Sequence, residues 1–185
     1  EEKNEDRLVK CYRWNESNKS YQLHHEKPDP NIKVKSYKDD PKSFSGGAGL
    51  ISTISDYQQF GSAILDAKKG RKNPILKKDT AELMMKNHLP KKKFIDEFSK
   101  YPLIGGEYYK GIGFGLGGSI CVNEDLGLSN SQKGDFGWGG AASTSFYISE
   151  KYDYSLVFLT QVLESEDTRK LNSTIKKLVN SCIDV

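Results

Sequence analysis

The chain has 185 residues, of which 36% are hydrophobic and 29% charged, and its formal net charge is +3. That length supports one domain with a real core, or part of a larger one, and the composition suits a globular protein with a polar surface. The small charge argues against a nucleic-acid partner, no apolar run approaches the roughly 20 residues of a membrane helix, and the opening EEKNEDR does not read as a signal or transit peptide.

In chain order, Leu8 to Trp14 and Tyr21 to His25 read as short strands, with NESNKS between them as the turn of a hairpin. The polar, proline-bearing stretch up to Ser45 reads as a long connection with an extended piece at Ile32 to Tyr37. SGGAGL then leads into a helix. Thr53 with Asp56 three residues on is a capping-box signal, and Ile54, Tyr57, Phe60 and Ile64 follow at helical spacing. A second helix is predicted from Asp79, with Leu83 and Met84 on it, to stop before Pro90. Lys91 to Tyr109 reads as loop, Gly111 to Val122 as one extended segment and Asn123 to Lys133 as a turn region. Ser143 to Ile148 and Tyr154 to Gln161 read as an antiparallel hairpin joined by SEKYD. The tail reads as an amphipathic helix with Leu171, Ile175, Leu178, Val179 and Cys182 on one face. Strands and helices are grouped rather than alternating, so the fold class is α+β.

Cys11, Cys121 and Cys182 each sit in an apolar pattern, without metal-ligand spacing. Buried free thiols in a reducing, cytoplasm-like compartment are the expectation. The histidines form no metal motif either, so no metal and no cofactor is implied. Two chemistry-bearing patterns fail on context. GFGLGG (Gly113 to Gly118) fits G-x-G-x-x-G, but SICV continues as strand where a dinucleotide fold opens a helix. Ser173-x-x-Lys176 fits the acylating S-x-x-K, but it lies in the middle of the last helix rather than at a helix start facing a cleft.

The stretch GDFGWGGAASTSFYI (Gly134 to Ile148) surrounds Trp138 with glycines just ahead of a strand. Glycine admits a close approach of backbone to something else. That something is either another strand or a substrate held by backbone N–H groups, and Trp138 is correspondingly either core or a pocket wall.

Several segments, in order, resemble the serine β-lactamase-like family: class C β-lactamases, D,D-peptidases and the esterases of the same fold. They are FSGGAGLISTISDYQQFGSAIL, LKKDTAELMMKNHLP, GIGFGLGGSI and GDFGWGGAASTSFYISEKYDYSLVFLTQ. The resemblance runs from about Ser45 to Val185 and implies that residues 1–185 are the C-terminal portion of a single β-lactamase-like α+β domain, an antiparallel sheet with flanking helices. The third motif of that family, K-T-G or H-x-G, is commonly W-G-G in its esterase-like members, which corresponds here to Trp138-Gly139-Gly140. By the same resemblance Ala141 supplies a backbone N–H to the oxyanion hole, and Trp138 walls the acyl or alcohol part. The family's nucleophilic serine, its lysine and its Y-x-N tyrosine match no residue of this chain. Trp138 in place of the lysine removes the cation that would pair with a β-lactam carboxylate, which favours ester or amide substrates over penicillins. Two functional expectations follow: a contribution to a serine hydrolase whose nucleophile lies elsewhere, the chain alone being inactive, or a scaffold or binding module that has lost the chemistry. The resemblance further implies an open strand edge at Tyr154–Gln161, so that the isolated chain would self-associate or be ordered only with its missing half bound.

Overall fold

The computed structural model describes residues 7–24, 46–47, 50–72, 75–98, 106–163 and 167–183. Strands β1 (Tyr12–Asn15) and β2 (Ser20–Leu23) form the expected hairpin, with Tyr12 opposite Leu23. The Asn15 side-chain oxygen accepts the Ser17 N–H at 2.9 Å and sets the turn. The extended piece expected at Ile32 to Tyr37 lies outside the described residues.

Helix α1 (Ile54–Lys68) begins at Thr53, whose Oγ1 accepts the Asp56 N–H at 3.1 Å. Only half of the capping box forms, because the Asp56 carboxylate takes the Thr53 hydroxyl instead of reaching back to the backbone. Helix α2 (Lys78–Met84) stops sooner than its sequence pattern predicts. His88 stands outside it and donates its N–H to the Phe114 carbonyl at 2.8 Å, so this backbone serves the sheet instead of the helix.

The region read as loop after Pro90 carries a further short helix, α3 (Ile95–Phe98), of which only Ile95 is buried. One turn with a single inward residue leaves no period to detect. The segment read as one strand from Gly111 is instead a hairpin of β3 (Ile112–Phe114) and β4 (Ser119–Cys121), closed by Gly115 N–H to the Gly118 carbonyl at 2.7 Å. Next come β5 (Phe136–Gly139), β6 (Ser145–Ser149), β7 (Tyr154–Phe158), β8 (Val162–Leu163) and helix α4 (Asp167–Ile183). The main sheet runs β3-β4-β5-β6-β7, antiparallel throughout, and β8 pairs parallel with β1 in a smaller sheet.

Strand alternation divides the main sheet into two faces. On one, Phe136, Phe146, Ile148 and Val157 pack with Ile64 and Leu65 of α1 and with Met85. The other carries Ile112 and Cys121, covered by Ile95, and beside them a polar region under α4. Helix α4 turns only part of the face its apolar spacing predicts toward the sheet, with Ile175 and Val179 half-buried. Leu171, Leu178 and Cys182 are exposed. The inward residues are Ser173 and Asn180, with Asn172 hydrogen-bonded to Ser145 and Asn180 accepting from the Tyr154 hydroxyl at 2.6 Å. The reason lies on the sheet, which offers α4 the polar groups of Tyr147, Tyr154 and Asp135 rather than an apolar surface.

The edge expected along Tyr154–Gln161 is shorter than the sequence suggested. The Gln161 carbonyl accepts the Tyr12 N–H at 2.7 Å, so β1 covers the chain from there on. Within that stretch the strand itself, Tyr154–Phe158, lacks a second strand partner among the described residues. There Ser155 is met by α1, whose Gln58 donates to the Ser155 carbonyl at 3.0 Å.

The cysteines divide as well. Cys121 is buried, Cys11 is half-buried and Cys182 is exposed, so burial holds fully for one of the three. Burial, aided by the nearby carboxylates of Asp135 and Glu124, pushes the Cys121 thiol up to about 12 and keeps it protonated.

Candidate active site

The four residues singled out by sequence, Trp138, Gly139, Gly140 and Ala141, leave β5 together. Strand β6 accompanies β5 throughout, with Trp138 opposite Phe146 and Gly139 opposite Ser145. Strand β4 does not: its last partner on β5 is Gly137, opposite Ser119. From Trp138 onward, β5 therefore has an open side among the described residues. Gly139, Gly140 and Ala141 are exposed there, and Trp138 is half-buried.

The glycines do two different jobs. A Cβ on Gly137 would stand 2.2 Å from the Phe146 carbonyl oxygen, so that glycine is required by strand packing. A Cβ on Gly139 would meet only the Thr144 carbonyl oxygen, at 3.4 Å, which is ordinary contact. Gly139 is not demanded by the fold around it. The strand-packing reading of the glycine-rich stretch thus holds at Gly137, and packing supplies no such reason at Gly139.

Gly140 spends its N–H on the Thr144 carbonyl at 2.8 Å, and its carbonyl accepts from Ser143 N–H at 2.9 Å. This closes a turn with Ala141 and Ala142 at its centre. The N–H of the first central residue takes no part in the bond that closes such a turn. Ala141 N–H has no hydrogen-bond partner among the described residues. The turn is fixed from behind. The Ala142 carbonyl accepts Val162 N–H at 3.1 Å and the Thr160 hydroxyl at 3.0 Å, and Ser143 Oγ donates to the Val162 carbonyl at 2.7 Å.

Trp138 packs against both apolar clusters, at the end of the sheet where its two faces meet. Its ring meets Phe114 edge-on at 4.9 Å between centroids, and Tyr109 lies at 6.4 Å. Sequence reading missed both neighbours. Phe114 lay in a segment read as one plain strand and Tyr109 at the end of one read as loop. The only local signal was the aromatic pair in GEYYKGIGF.

The two rejected patterns are structural. Ser173 is buried, donates from Oγ to the Leu128 carbonyl at 3.0 Å and accepts from Asn130 Nδ2 at 2.6 Å. Lys176 Nζ reaches Ser131 Oγ at 2.9 Å instead. In GFGLGG, a Cβ on Gly115 would stand 2.3 Å from the Met84 carbonyl oxygen, and one on Gly118 would stand 2.7 Å from the Phe136 ring. These glycines admit α2 and Phe136 and open no helix. The surface depression on the β1–β2 hairpin, lined by Arg13, Trp14, Gln22 and His24, includes none of the predicted site residues. No helix among the described residues is long and apolar enough to cross a membrane.

Behind the site, on the α4 face, lies a buried polar cluster that sequence reading did not anticipate. The Asp135 carboxylate accepts the Tyr147 hydroxyl and the Gln132 N–H. Burial raises the Asp135 carboxyl above its ordinary range, opposed by hydrogen bonds from Tyr147, Ser149 and Gln132 and by the Lys176 charge. Burial lowers the Lys176 ammonium to about 8, with Asp135 acting the other way. Tyr147 is held well above the usual phenol range, first by burial and then by the adjacent Asp135 charge.

No protein-family model matches the chain. Among curated proteins, it is 28% identical over 125 residues to Protein Rv1367c and to Uncharacterized protein MT1414, both of Mycobacterium tuberculosis. Each match covers 65% of this chain and 30% of the relative, so the aligned part is less than a third of those proteins. Among solved structures, the LovD6 mutant of simvastatin synthase from Aspergillus terreus superposes with a TM-score of 0.74 at 21% identity, covering 97% of this chain and 43% of that one. EstCE1, described as a hydrolase with promiscuous acyltransferase activity, superposes with a TM-score of 0.66 at 21% identity, covering 92% of this chain and 43% of that one. The shared architecture is the C-terminal portion of the serine β-lactamase fold, and the chain is α+β as its sequence predicts.

Proposed function

We propose that this chain, with the fold of the C-terminal portion of serine β-lactamase-like enzymes, supplies an oxyanion donor and an acyl-pocket wall to a serine acyl hydrolase or acyltransferase. The nucleophile comes from the remainder of that fold. The observation that carries the reading is the unbonded Ala141 N–H, exposed on a turn locked to β8, where β5 loses its β4 neighbour. The structural likeness to EstCE1, described as a hydrolase with promiscuous acyltransferase activity, supports it.

In this reading a serine oxygen adds to the substrate carbonyl, and the developing oxyanion accepts the Ala141 N–H and a second donor. Collapse expels the alcohol or amine, and water or an acceptor alcohol then takes the acyl group. Gly139 and Gly140 leave the approach free of side chains. Trp138 brings no positive charge, so the substrate expected is a neutral ester or amide.

The test uses the polypeptide that unites this chain with the rest of the fold. Ala141→Pro removes the N–H while suiting the first central position of a turn, where proline is favoured. It should lower kcat on nitrophenyl acetate by about 10²–10³-fold with the thermal midpoint nearly unchanged. Full activity in that variant would refute the assignment.

A further inference from the structure

We propose that the rings of Tyr109, Phe114 and Trp138 form the subsite for the apolar part of the acyl group, and that Tyr109 sets which acyl groups fit. The inference rests on the Ala141 assignment and narrows its substrate to esters or amides of bulky, preferably aromatic, acids.

Trp138 belongs to β5 and Phe114 to β3, with β4 between them. Their rings nonetheless meet at 4.9 Å and 88°. Between them on β4, Ser119 turns its Oγ onto the Gly137 carbonyl at 2.7 Å. Tyr109, at the end of the short 3₁₀ turn Glu107–Tyr109, completes the group at 6.4 Å from Trp138.

All three rings are only half-buried, whereas Ile95, Ile112 and Cys121 beneath them are buried. The group is therefore a floor of packed aliphatic side chains under a partly open aromatic surface. A surface of that kind favours a flat or aromatic group, which gains offset or edge-to-face contacts beyond simple burial. Trp138 is adjacent in sequence to the exposed glycines, so an acyl carbonyl placed at Ala141 N–H would carry its substituent toward these rings. Tyr109 lies at the margin of the group and approaches Trp138 less closely than Phe114 does. Its removal changes the pocket with the least disturbance to the core.

The experiment compares kcat/KM for nitrophenyl phenylacetate and nitrophenyl acetate in the polypeptide with the complete fold. The wild type should prefer the phenylacetyl ester, and Tyr109→Ala should reduce the ratio of the two specificity constants by about tenfold, chiefly through KM. Tyr109→Phe should keep the ratio, because the ring and not the hydroxyl makes the contact. If Tyr109→Ala lowers both constants by one factor, Tyr109 is structural and the subsite is refuted. An unchanged ratio refutes it equally. Ala141→Pro separates the two readings. If it abolishes turnover of both esters while no acyl preference exists, the oxyanion assignment stands and the subsite falls. If turnover does not depend on Ala141, both fall.

Discussion

Lys176 Nζ stands 4.6 Å from the centre of the Tyr147 ring, beneath a helix whose leucines Leu171 and Leu178 face outward. Helix α4 is thus docked by a buried ammonium resting on an aromatic face and on Ser131 Oγ. The Asp135 charge lies close enough to favour the ammonium, but burial outweighs it.

A pH signature follows. Lys176 titrates near 8 in the folded chain and near 10.4 once unfolded, so between those values the unfolded state binds more protons. Its penalty on stability is fully present below about pH 8 and is relieved as pH rises toward 10.4. Cys121, Tyr147 and Tyr154 are all raised and act in the opposite sense from about pH 8.5 upward. The useful quantity is therefore the difference between wild type and Lys176→Met in urea unfolding. Relative to the variant, the wild type should gain on the order of 2–3 kcal/mol between pH 8 and 10. A difference that stays flat with pH would remove Lys176 from the buried cluster.

Gly137 and Gly139 should behave as opposites. Gly137→Ala drives a methyl to 2.2 Å from the Phe146 carbonyl oxygen, in the middle of the sheet. It should cost about 2 kcal/mol or more, as overpacking does, and be visible as a lowered thermal midpoint. Gly139→Val puts its Cβ in open contact and places a branched residue in a strand, where such residues are favoured. It should leave the midpoint within a few degrees while reducing ester turnover in the complete fold. Loss of folding in step with loss of kcat at Gly139 would mean that packing, not access, explains this glycine.

Ser173→Ala tests the rejected S-x-x-K. The serine bonds both the Leu128 carbonyl and the Asn130 amide in a buried setting. Its removal should cost about 1–3 kcal/mol of stability and leave ester kcat in the complete fold unchanged. Turnover that vanishes with Ser173 in a folded protein would restore it as a nucleophile.

The isolated 185-residue chain is expected to self-associate. Strand β7 offers Tyr154–Phe158 as an edge without a second strand partner among the described residues, and Leu159, Leu171 and Leu178 add exposed apolar surface. An unpaired edge beside apolar surface is a template for strand addition. Sedimentation at micromolar concentration reads this directly, and a lysine substitution at Leu156 should shift the chain toward monomer. A wild-type monomer with the 154–158 amides slow to exchange on both sides of the strand would contradict it.

Local chemistry was legible where it acts over a few residues. Thr53 and Asp56 announced the start of α1, NESNKS the first hairpin and SEKYD the turn between β6 and β7, because caps and turns are decided by neighbouring side chains. The motif order was enough to suggest the fold, and the glycine run to mark the end of β5. What the sequence could not convey is which partner each surface meets. The apolar spacing of α4 pointed to Leu171, Ile175, Leu178, Val179 and Cys182 as its inner face, but the sheet beneath presents Asp135, Tyr147 and Tyr154, so Ser173 and Asn180 are buried while Ile175 and Val179 are only half-buried. Gly137 and Gly139 look alike in sequence, yet a carbonyl 2.2 Å from one Cβ position and 3.4 Å from the other gives them separate roles. The contact of Phe114 with Trp138, 24 residues apart in the chain, joins β3 to β5 across the intervening β4. Such relations are set by register and by the approach of distant backbone, which only the folded chain fixes.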